Sequence, residues 1–270
     1  MSEFLLSVDV EDWFHAHNLG PAVSRDEWDE CEFRVERNTR RILDLFDEHD
    51  TKATFFVLGW VAERLPELVR EIDRRGHEIA SHGYNHRLLS EMSADEIRAD
   101  VGRSLEILED LTDQPIRGYR APSFSITDTA VDVLADLDFE YDSSSFPVSN
   151  HDRYGSLSSK SDDAFVELEA GVVEAQLPRL EAFGTGLPWA GGGYFRFIPY
   201  PVYRRGVKRI ASSRDFIFYF HPWELDPDQP KFAELPLTNR VRHYTNLEET
   251  TDRLARLLSD FDWQPIGGAI

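Results

Sequence analysis

Segments with the pattern of buried strands alternate with segments of helical periodicity along most of the chain, and this order constrains the fold more than any other feature. The strand-like apolar runs lie at residues 4–9, 53–58, 78–81, 116–119, 139–142 and 216–220, with a further extended segment at 172–177. Helical spacing of apolar residues occurs between them, at residues 34–49, 60–75, 93–111, 127–137, 199–212 and 246–258. Strands that alternate with helices predict an α/β fold whose parallel sheet is closed, or nearly closed, into a barrel.

Local signals place two of the helix boundaries. Pro66 interrupts the helical segment 60–75 and suits the first turn of a new helix. Ser93 and Glu96 have the spacing of a capping box, so we expect a helix to begin there and to run to about Leu111.

The charge of the chain is strongly negative. Its 50 acidic and 29 basic residues give a net charge of −21, and only four of the basic residues are lysines. A dispersed acidic surface with little lysine is typical of adaptation to high salt, where repulsion between charges is screened. The same charge argues against nucleic acid as a partner, because a phosphate backbone would be repelled.

Length and residue content exclude other classes of protein. The chain has 270 residues, of which 41% are apolar, enough for one large core. It has no run of about 18 apolar residues, so we expect no transmembrane helix, and the single Cys31 rules out an internal disulfide. Residues 1–7 lack a basic n-region and a long apolar h-region, so we expect no signal peptide and a cytoplasmic location. The sequence leaves the oligomeric state open.

Polar residues lie where the predicted strands end. These residues are Asp9, His82, Arg120, Asp142 and His221. In an α/β barrel the carboxyl ends of the strands share one face, where catalytic groups gather. We therefore expect these five side chains to meet in one site.

A pair of histidines and an acidic run have the composition of a metal site. His82 and His86 lie four residues apart, directly after a predicted strand. One turn of chain can aim two such imidazoles at one metal ion, although this spacing also occurs by chance on solvated turns. The acidic run at residues 9–12 (DVED) can supply a carboxylate as the third ligand. Such a set leaves a coordination position for water, which a metal activates for hydrolysis near neutral pH.

Five motifs, in this order along the chain, resemble the polysaccharide deacetylase family, also called the NodB-homology or carbohydrate esterase 4 family. They are residues 7–12 (SVDVED), 81–86 (SHGYNH), 120–124 (RAPSF), 141–144 (YDSS) and 218–222 (FYFHP). Residues 9–13 (DVEDW) and 191–196 (GGGYFR) are similar to the branch of this family that is associated with exopolysaccharide biosynthesis. The resemblance implies a distorted (β/α)7-type barrel with the NodB-homology fold, a divalent metal, and hydrolysis of an N-acetyl group from a sugar.

The resemblance also implies a role for each matching residue. His82 and His86 correspond to the metal-binding histidines, and Asp9 corresponds to the aspartate that acts as general base on the attacking water. Arg120 corresponds to the arginine that holds this aspartate. His221 corresponds to the histidine that acts as general acid on the leaving amine.

The first motif departs from the commonest pattern of the family, in which the base and a metal-binding aspartate are adjacent. Here Val10, Glu11 and Asp12 follow Asp9. Strand geometry puts Asp9 and Glu11 on the same side of the chain. We therefore assign Glu11 to the metal and keep Asp12 as the alternative.

Two features next to the motifs have more than one interpretation. Asp142 can orient His221 by accepting a hydrogen bond from its other ring nitrogen, or it can form a structural Asx-turn. Residues 191–193 (GGG) lack the lysine of a phosphate-binding loop, so we interpret them as a flexible turn near the mouth of the site.

Several aromatic residues have the chemistry of sugar-stacking walls, because aromatic faces suit the apolar faces of pyranose rings. Core packing is the alternative for each of them. Trp13 and Trp189 are favoured as walls, because their neighbours look like loop. The predicted substrate-binding residues are Trp13, Phe124, Trp189 and Tyr194, and Trp223 is a further candidate.

We therefore expect one domain over residues 1–270, with residues 148–200 as a loop excursion near the site. The expected function is metal-dependent removal of N-acetyl groups from an amino sugar in a polysaccharide or a glycan precursor. Two imidazoles and one carboxylate suit Zn²⁺, and Co²⁺, Ni²⁺ or Mn²⁺ also fit. The alternatives are an allantoinase-like hydrolase of a small non-peptide amide and a catalytically inactive barrel that binds glycan. The joint presence of Asp9, Arg120 and His221 speaks against the inactive barrel.

Overall fold

The computed structural model of the chain describes residues 2–146, 155–159, 161–182 and 185–270. One sheet is formed by nine strands, which are β1 (Phe4–Val10), β2 (Thr54–Val57), β3 (Glu78–Ser81), β4 (Gly118–Tyr119), β5 (Tyr141–Asp142), β6 (Phe165–Glu167), β7 (Val173–Ala175), β10 (Phe216–Phe220) and β11 (Trp263–Gln264). A separate antiparallel hairpin consists of β8 (Arg179–Ala182) and β9 (Thr185–Pro188).

Helices occupy most of the connections between strands. They are α1 (Val35–Glu48), α2 (Gly59–Arg64), α3 (Pro66–Arg74), α4 (Ala94–Glu109), α5 (Asp128–Asp136), α6 (Gly192–Phe197), α7 (Tyr200–Ile210), α8 (Leu237–Tyr244) and α9 (Thr250–Asp260). Among the described residues, no helix combines the length and the apolar character that crossing a bilayer would need.

The sheet is curled and mostly parallel. Its strand order is β10-β1-β2-β3-β4-β5-β7-β6, and β11 lies beside the start of β1. Every neighbouring pair runs parallel except β6 and β7. The strands form a half-barrel with helices packed around it, so the predicted α/β fold of the distorted (β/α)7 type is confirmed.

The predicted elements on the main strand-helix alternation are also confirmed, with ends that shift by a few residues. Pro66 separates α2 from α3 as expected. The capping box of Ser93 and Glu96 begins α4. The sequence patterns missed β6, β8, β9 and β11 and the helices α6 and α8.

The predicted excursion at residues 148–200 lies partly outside the described residues, since 147–154, 160 and 183–184 are not among them. Its described part holds the strands β6 to β9 and helix α6. That residues 1–270 form one domain stays a prediction.

Alternation along β1 explains how the half-barrel can hold polar residues on its inside. Leu6, Val8 and Val10 pack in the large cluster between the sheet and the helices. Leu5 points the other way, into a smaller cluster with Phe56 and other side chains from the interior of the sheet. Because side chains alternate along a strand, Ser7 and Asp9 share the interior side with Leu5. The interior of the half-barrel is therefore apolar at one end and polar at the carboxyl ends of the strands.

Candidate active site

A cavity of about 390 Å³ opens at the carboxyl ends of the parallel strands. Four of the five polar strand-end residues named from the sequence meet at this end of the sheet: Asp9, His82, Arg120 and His221. Asp9, His82 and His221 line the cavity, whereas Arg120 lies behind it and is fully buried. The fifth residue, Asp142, is discussed below.

Glu11, His82 and His86 form one compact group. One carboxylate oxygen of Glu11 (Oε1) lies 2.9 Å from Nε2 of His82 and 2.9 Å from Nε2 of His86. His82 Nδ1 donates a hydrogen bond to the carbonyl of Arg120 at 2.8 Å, which leaves its Nε2 as the free lone pair in the neutral ring. In the described part of the chain this is the one group of three histidine or carboxylate side chains whose ligand atoms all lie within 4.8 Å of one another.

The loop between the two histidines is held by a residue that the sequence analysis did not identify. Asp100 in α4 accepts hydrogen bonds from the backbone N–H groups of Tyr84 and Asn85, at 2.8 and 3.1 Å. Gly83 and His86 adopt positive φ angles of 70° and 51°. An acidic residue on a neighbouring helix therefore shapes the turn that brings the second imidazole back toward the first.

Asp12, the alternative to Glu11, points away from this group. Its carboxylate accepts hydrogen bonds from the backbone N–H groups of Trp13, Arg34 and Val35, at 2.8, 2.7 and 2.9 Å. Burial raises the pKa of Asp12 to about 6, against the lowering effect of these hydrogen bonds. Asp12 thus joins the end of β1 to the start of α1.

Asp9 is fixed by the buried Arg120. Nη1 of Arg120 donates to Oδ1 of Asp9 at 2.7 Å and to Oγ of Ser7 at 2.8 Å. The rest of the guanidinium donates to the backbone carbonyl and the hydroxyl of Ser143, at 2.8 and 2.9 Å, and stacks 4.0 Å from the ring of Phe56. Because Ser7, Ser143 and Phe56 hold the guanidinium in place, they also determine the orientation of the Asp9 carboxylate that it binds.

His221 lies on the other side of Asp9, with Nε2 at 3.8 Å from Asp9 Oδ2. Its Nδ1 donates to Oε1 of Glu224 at 2.9 Å. Glu224 is also bonded by Nε of Arg196 at 2.7 Å, and both members of this ion pair are almost completely buried. Burial opposes the charged form of His221, but the carboxylates of Glu11, Glu224 and Asp9 outweigh it and raise its pKa to about 9.

The predicted contact between Asp142 and His221 is wrong. Oδ1 of Asp142 accepts a hydrogen bond from Oγ of Ser144 at 2.5 Å, and Glu174 is its other partner. Burial and the charge of Asp142 hold the pKa of Glu174 well above its usual range, so a proton is shared between two buried carboxyl groups. Sequence reasoning favoured Asp142 because it ends a strand, whereas Glu224 is three residues from His221 and reaches it directly.

The prediction that residues 191–193 form a flexible turn is wrong, because these glycines begin a helix. Gly191 is the N-cap of α6, and Gly192 and Gly193 form its first turn. A Cβ atom on Gly192 would lie 2.3 Å from Oε1 of Glu224, and one on Gly191 would lie 2.5 Å from the hydroxyl of Tyr219. The glycines therefore allow the backbone of α6 to approach the carboxylate that holds His221.

Two of the four predicted substrate-binding residues belong to the core instead. Trp13 stacks on Phe232 with ring centroids 5.8 Å apart, and its indole N–H donates to the carbonyl of Glu32 at 3.0 Å. Trp189 stacks on Tyr203 at 5.7 Å and donates to the carbonyl of the same residue. A loop-like sequence around a tryptophan did not imply exposure, because each indole is packed and hydrogen-bonded.

The other two predicted residues, Phe124 and Tyr194, do line the cavity. Trp223, the further candidate, also lines it, together with Phe197 and Tyr219, which the sequence analysis did not identify. The ring of Trp223 stacks on His221 at 5.1 Å. The period-two pattern of β10 was the available signal for Tyr219, which lies two positions before His221.

The donor set of Glu11, His82 and His86 fits a divalent cation. Oε1 of Glu11 and Nε2 of His82 lie 2.9 Å apart, so the two atoms can share one cation, either a proton on the imidazole or a metal ion. Burial disfavours the ionised form of Glu11, but the charges of His86 and His221 and hydrogen bonds from His82 and His86 hold its pKa well below the usual range. An ionised carboxylate beside two imidazoles is a site type that metal ions occupy in hydrolases.

Comparison with known proteins agrees with this geometry. Residues 26–141 match the family model described as polysaccharide deacetylase, and residues 143–270 match one described as a domain of unknown function (DUF3473). The first half of the chain is therefore similar to the polysaccharide deacetylase family.

The curated relatives match only part of the chain. A peptidoglycan-N-acetylglucosamine deacetylase of Bacillus cereus is 39% identical over 103 residues, which are 38% of this chain and 34% of that relative. The chain thus spans about a third of the length of that curated relative.

Two solved structures share the fold over nearly the whole chain. A provisionally assigned polysaccharide deacetylase from Mycobacterium smegmatis superposes with a TM-score of 0.66 at 21% identity, covering 99% of this chain and 88% of that one. A family 4 acetyl xylan esterase from Clostridium thermocellum, in complex with a cobalt ion, superposes with a TM-score of 0.51 at 14% identity, covering 99% and 89%.

Proposed function

We propose that the protein is a metal-dependent deacetylase that removes the N-acetyl group from an amino sugar in a polysaccharide or a glycan precursor. The observation that carries this proposal is the position of Asp9, which lies between Arg120 and His221 and opens on the cavity that Glu11, His82 and His86 also line. A base, an acid and a metal-binding group thus converge on one space. The match to a peptidoglycan-N-acetylglucosamine deacetylase supports the choice of substrate.

Glu11, His82 and His86 are the proposed metal ligands, and the hydrogen bonds of Asp12 to backbone N–H groups favour Glu11 over Asp12. When bound there, a divalent cation would polarise the acetyl carbonyl and lower the pKa of water toward about 7. We propose Zn²⁺, since two imidazoles and one carboxylate suit it, and Co²⁺, Ni²⁺ and Mn²⁺ are the competitors. The acetyl xylan esterase of the same fold was solved with cobalt.

Asp9 is the proposed general base. Arg120 donates a hydrogen bond to Oδ1 of the buried Asp9 carboxylate, and the other oxygen, Oδ2, lies on the side of His221. Asp9 takes the proton of the attacking water, and the carbonyl carbon of the acetamide becomes tetrahedral as the water oxygen bonds to it.

His221 is the proposed general acid. Its pKa of about 9 keeps the imidazole protonated near neutral pH. It donates its proton to the amide nitrogen as the bond from that nitrogen to the carbonyl carbon breaks, and the products are acetate and the free amino sugar. Glu224 and Arg196 are the proposed positioning residues, because Glu224 accepts the hydrogen bond from Nδ1 of His221 and Arg196 holds Glu224. Both also line the cavity.

The proposed substrate contacts follow from the aromatic walls. Phe124, Tyr194, Tyr219 and Trp223 surround the cavity next to the polar groups. Faces of this kind pack against pyranose rings, which favours a sugar over a small amide such as the substrate of an allantoinase-like enzyme. The cytoplasmic location that the sequence suggested stays a prediction.

The experiment that tests the proposal measures acetate release from N-acetylglucosamine oligomers. The chelated protein should be inactive, and Zn²⁺ or Co²⁺ should restore release. Bound metal without release from any oligomer would favour the small-amide hydrolase or the inactive glycan-binding barrel, which a panel of small amides and a glycan-binding assay separate. Absence of bound metal by elemental analysis would contradict the proposed site as a whole.

A further inference from the structure

A second cavity, of about 670 Å³, adjoins the one that holds the proposed catalytic residues. The two share five lining residues, which are Ala16, His17, Asn18, His86 and Arg242. The second space is therefore adjacent to the cavity on which Asp9 opens. We call the second space the side groove.

The charge of the side groove is opposite to that of the molecule. Among the described residues, no aspartate or glutamate lines it, although the chain has 50 acidic residues. Arg25 and Arg242 do line it, and both are exposed. Neither guanidinium forms an ion pair with a carboxylate in the part of the chain that the structure describes, whereas many other arginines of this protein do.

Arg25 is held in place and lies close to another cation. Its guanidinium stacks 5.1 Å from the ring of Trp28 and donates to the carbonyl of His86 at 3.3 Å. Arg87 is close enough to repel the charge of Arg25, although Arg87 itself pairs with Glu96 at 3.2 Å, and Asp26 and Asp100 attract Arg25. A guanidinium near a second guanidinium gains from an added negative charge.

The wall of the side groove also contains a hydrogen-bond donor without an acceptor. His15 accepts a hydrogen bond at Nδ1 from the backbone N–H of Asp12, at 2.9 Å, so the N–H of its neutral ring is at Nε2. Nε2 has no partner among the described residues, and His15 is 3% exposed.

We infer that the side groove binds an anionic group of the substrate, a carboxylate or a phosphate, carried next to the N-acetylated sugar. Arginine is suited to both, because its planar guanidinium bonds two oxygens of either group at once. The net charge of −21 repels an acidic glycan at long range. Beside the site, the two arginines without a carboxylate partner attract the anionic group and so favour an acidic glycan over a neutral one. This inference deepens the proposed function and rests on it for the position of the acetamide.

The test compares kcat/KM for three probes with the metal-loaded enzyme. One is the neutral N-acetylglucosamine oligomer, the second is an oligosaccharide that alternates N-acetylglucosamine with glucuronate, and the third is UDP-N-acetylglucosamine. We expect at least one acidic probe to be preferred over the neutral one by about tenfold or more, and less so in molar salt than in dilute buffer. The glucuronate and pyrophosphate probes separate the two sources of the anion.

In the variant R25Q/R242Q, the ratio of kcat/KM for the acidic probe to kcat/KM for the neutral probe should fall close to one. The matched control is R41Q/R240Q, which also removes two exposed arginines that form no ion pair with a carboxylate in the described part of the chain and that do not line the side groove. The control should retain the preference. Equal ratios in the two double variants, or a wild-type enzyme that prefers the neutral probe, would overturn the inference while leaving the deacetylase intact.

Loss of the proposed function can be told apart from loss of this inference. If none of the three probes is deacetylated, binding of the glucuronate oligosaccharide to the chelated protein is measured by calorimetry. Salt-sensitive binding that R25Q/R242Q abolishes and R41Q/R240Q keeps would support the anion site on its own. No binding, or equal binding by both variants, would overturn it.

Discussion

At the scale of single residues, the adjacent carboxylates of Glu11 and Asp12 have different binding partners. Glu11 faces two imidazoles, whereas Asp12 faces three backbone N–H groups. Both residues lie just beyond β1, which ends at Val10, and Asp12 is the N-cap of the short helical turn Trp13–His15. Strand geometry predicted Glu11 as the ligand, and the hydrogen bonds of Asp12 to backbone N–H groups are the reason why we keep Glu11 in the proposal.

Glu11→Ala should abolish retention of a divalent metal, while Asp12→Ala should keep it. Asp12→Ala should instead lower the free energy of unfolding by about 1–3 kcal/mol, because buried N–H groups lose their acceptor. Metal stoichiometry after gel filtration and urea denaturation check the two outcomes. Normal metal content in Glu11→Ala together with loss in Asp12→Ala would require the two assignments to be exchanged.

Asp9→Asn should keep the metal and the fold but lower kcat by roughly 100-fold or more, the usual scale for a general base. The amide still accepts a hydrogen bond from Arg120, so the geometry of the site is retained. Elemental analysis and kcat are measured on the same preparation. Full activity with normal metal content would show that another group acts as the base.

Glu224→Gln should move the alkaline limb of the pH profile to lower pH. His221 works as an acid only while protonated, that is, below its pKa, which the carboxylates around it raise to about 9. Removing one of these negative charges lowers that pKa, by roughly one unit. The profile of kcat/KM between neutral and alkaline pH shows the shift. A lower rate with an unmoved limb would mean that Glu224 has only a structural task.

At the scale of elements, the connection from β9 to β10 determines how His221, the proposed general acid, is held. Helix α6 places Arg196 against Glu224, and Arg196 also donates to the carbonyls of Arg242, His243 and Thr245 at the end of α8. Glycine at position 192 is required because α6 starts in contact with the carboxylate of Glu224. The sequence analysis interpreted the glycines as a flexible turn, since glycine occurs both in turns and where two segments approach closely. Only the position of Glu224 next to Gly192 shows that the second explanation applies.

Gly192→Ala should destabilise the fold by about 1–3 kcal/mol, through overpacking against Glu224, and should lower kcat by displacing His221. Gly193→Ala is the matched control for stability, because a Cβ atom there meets no other heavy atom within 4 Å. Thermal unfolding of the two variants tests the difference. Equal melting temperatures would show that α6 shifts without cost and that glycine is not needed at position 192.

At the scale of the whole molecule, charge distinguishes the surface from the site. The net charge of −21 spreads over the chain, while the two arginines of the side groove have no carboxylate partner among the described residues. A surface of this kind is expected to need salt for stability, because self-repulsion falls as the Debye length shortens to about 3 Å in molar salt.

The midpoint of urea denaturation should therefore rise between dilute buffer and molar NaCl. Sucrose at equal osmolality is the control, since it strengthens burial without screening charge. A midpoint that is unchanged or lower in NaCl would mean that the surface ion pairs outweigh the repulsion, and the interpretation as adaptation to high salt would then be wrong.

The sequence by itself predicted the main alternation of strands and helices and the strand ends at which Asp9, His82, Arg120 and His221 lie, and it favoured Glu11 over Asp12 as the third ligand. These follow from periodicity and spacing, which are properties of short segments. The tertiary structure alone decided that Glu224 and not Asp142 holds His221, that Trp13 and Trp189 are core, and that two arginines border the site. The physical reason is that hydrogen bonds, stacking and unpaired charge depend on which distant segments pack together, and no local pattern of residues specifies that contact.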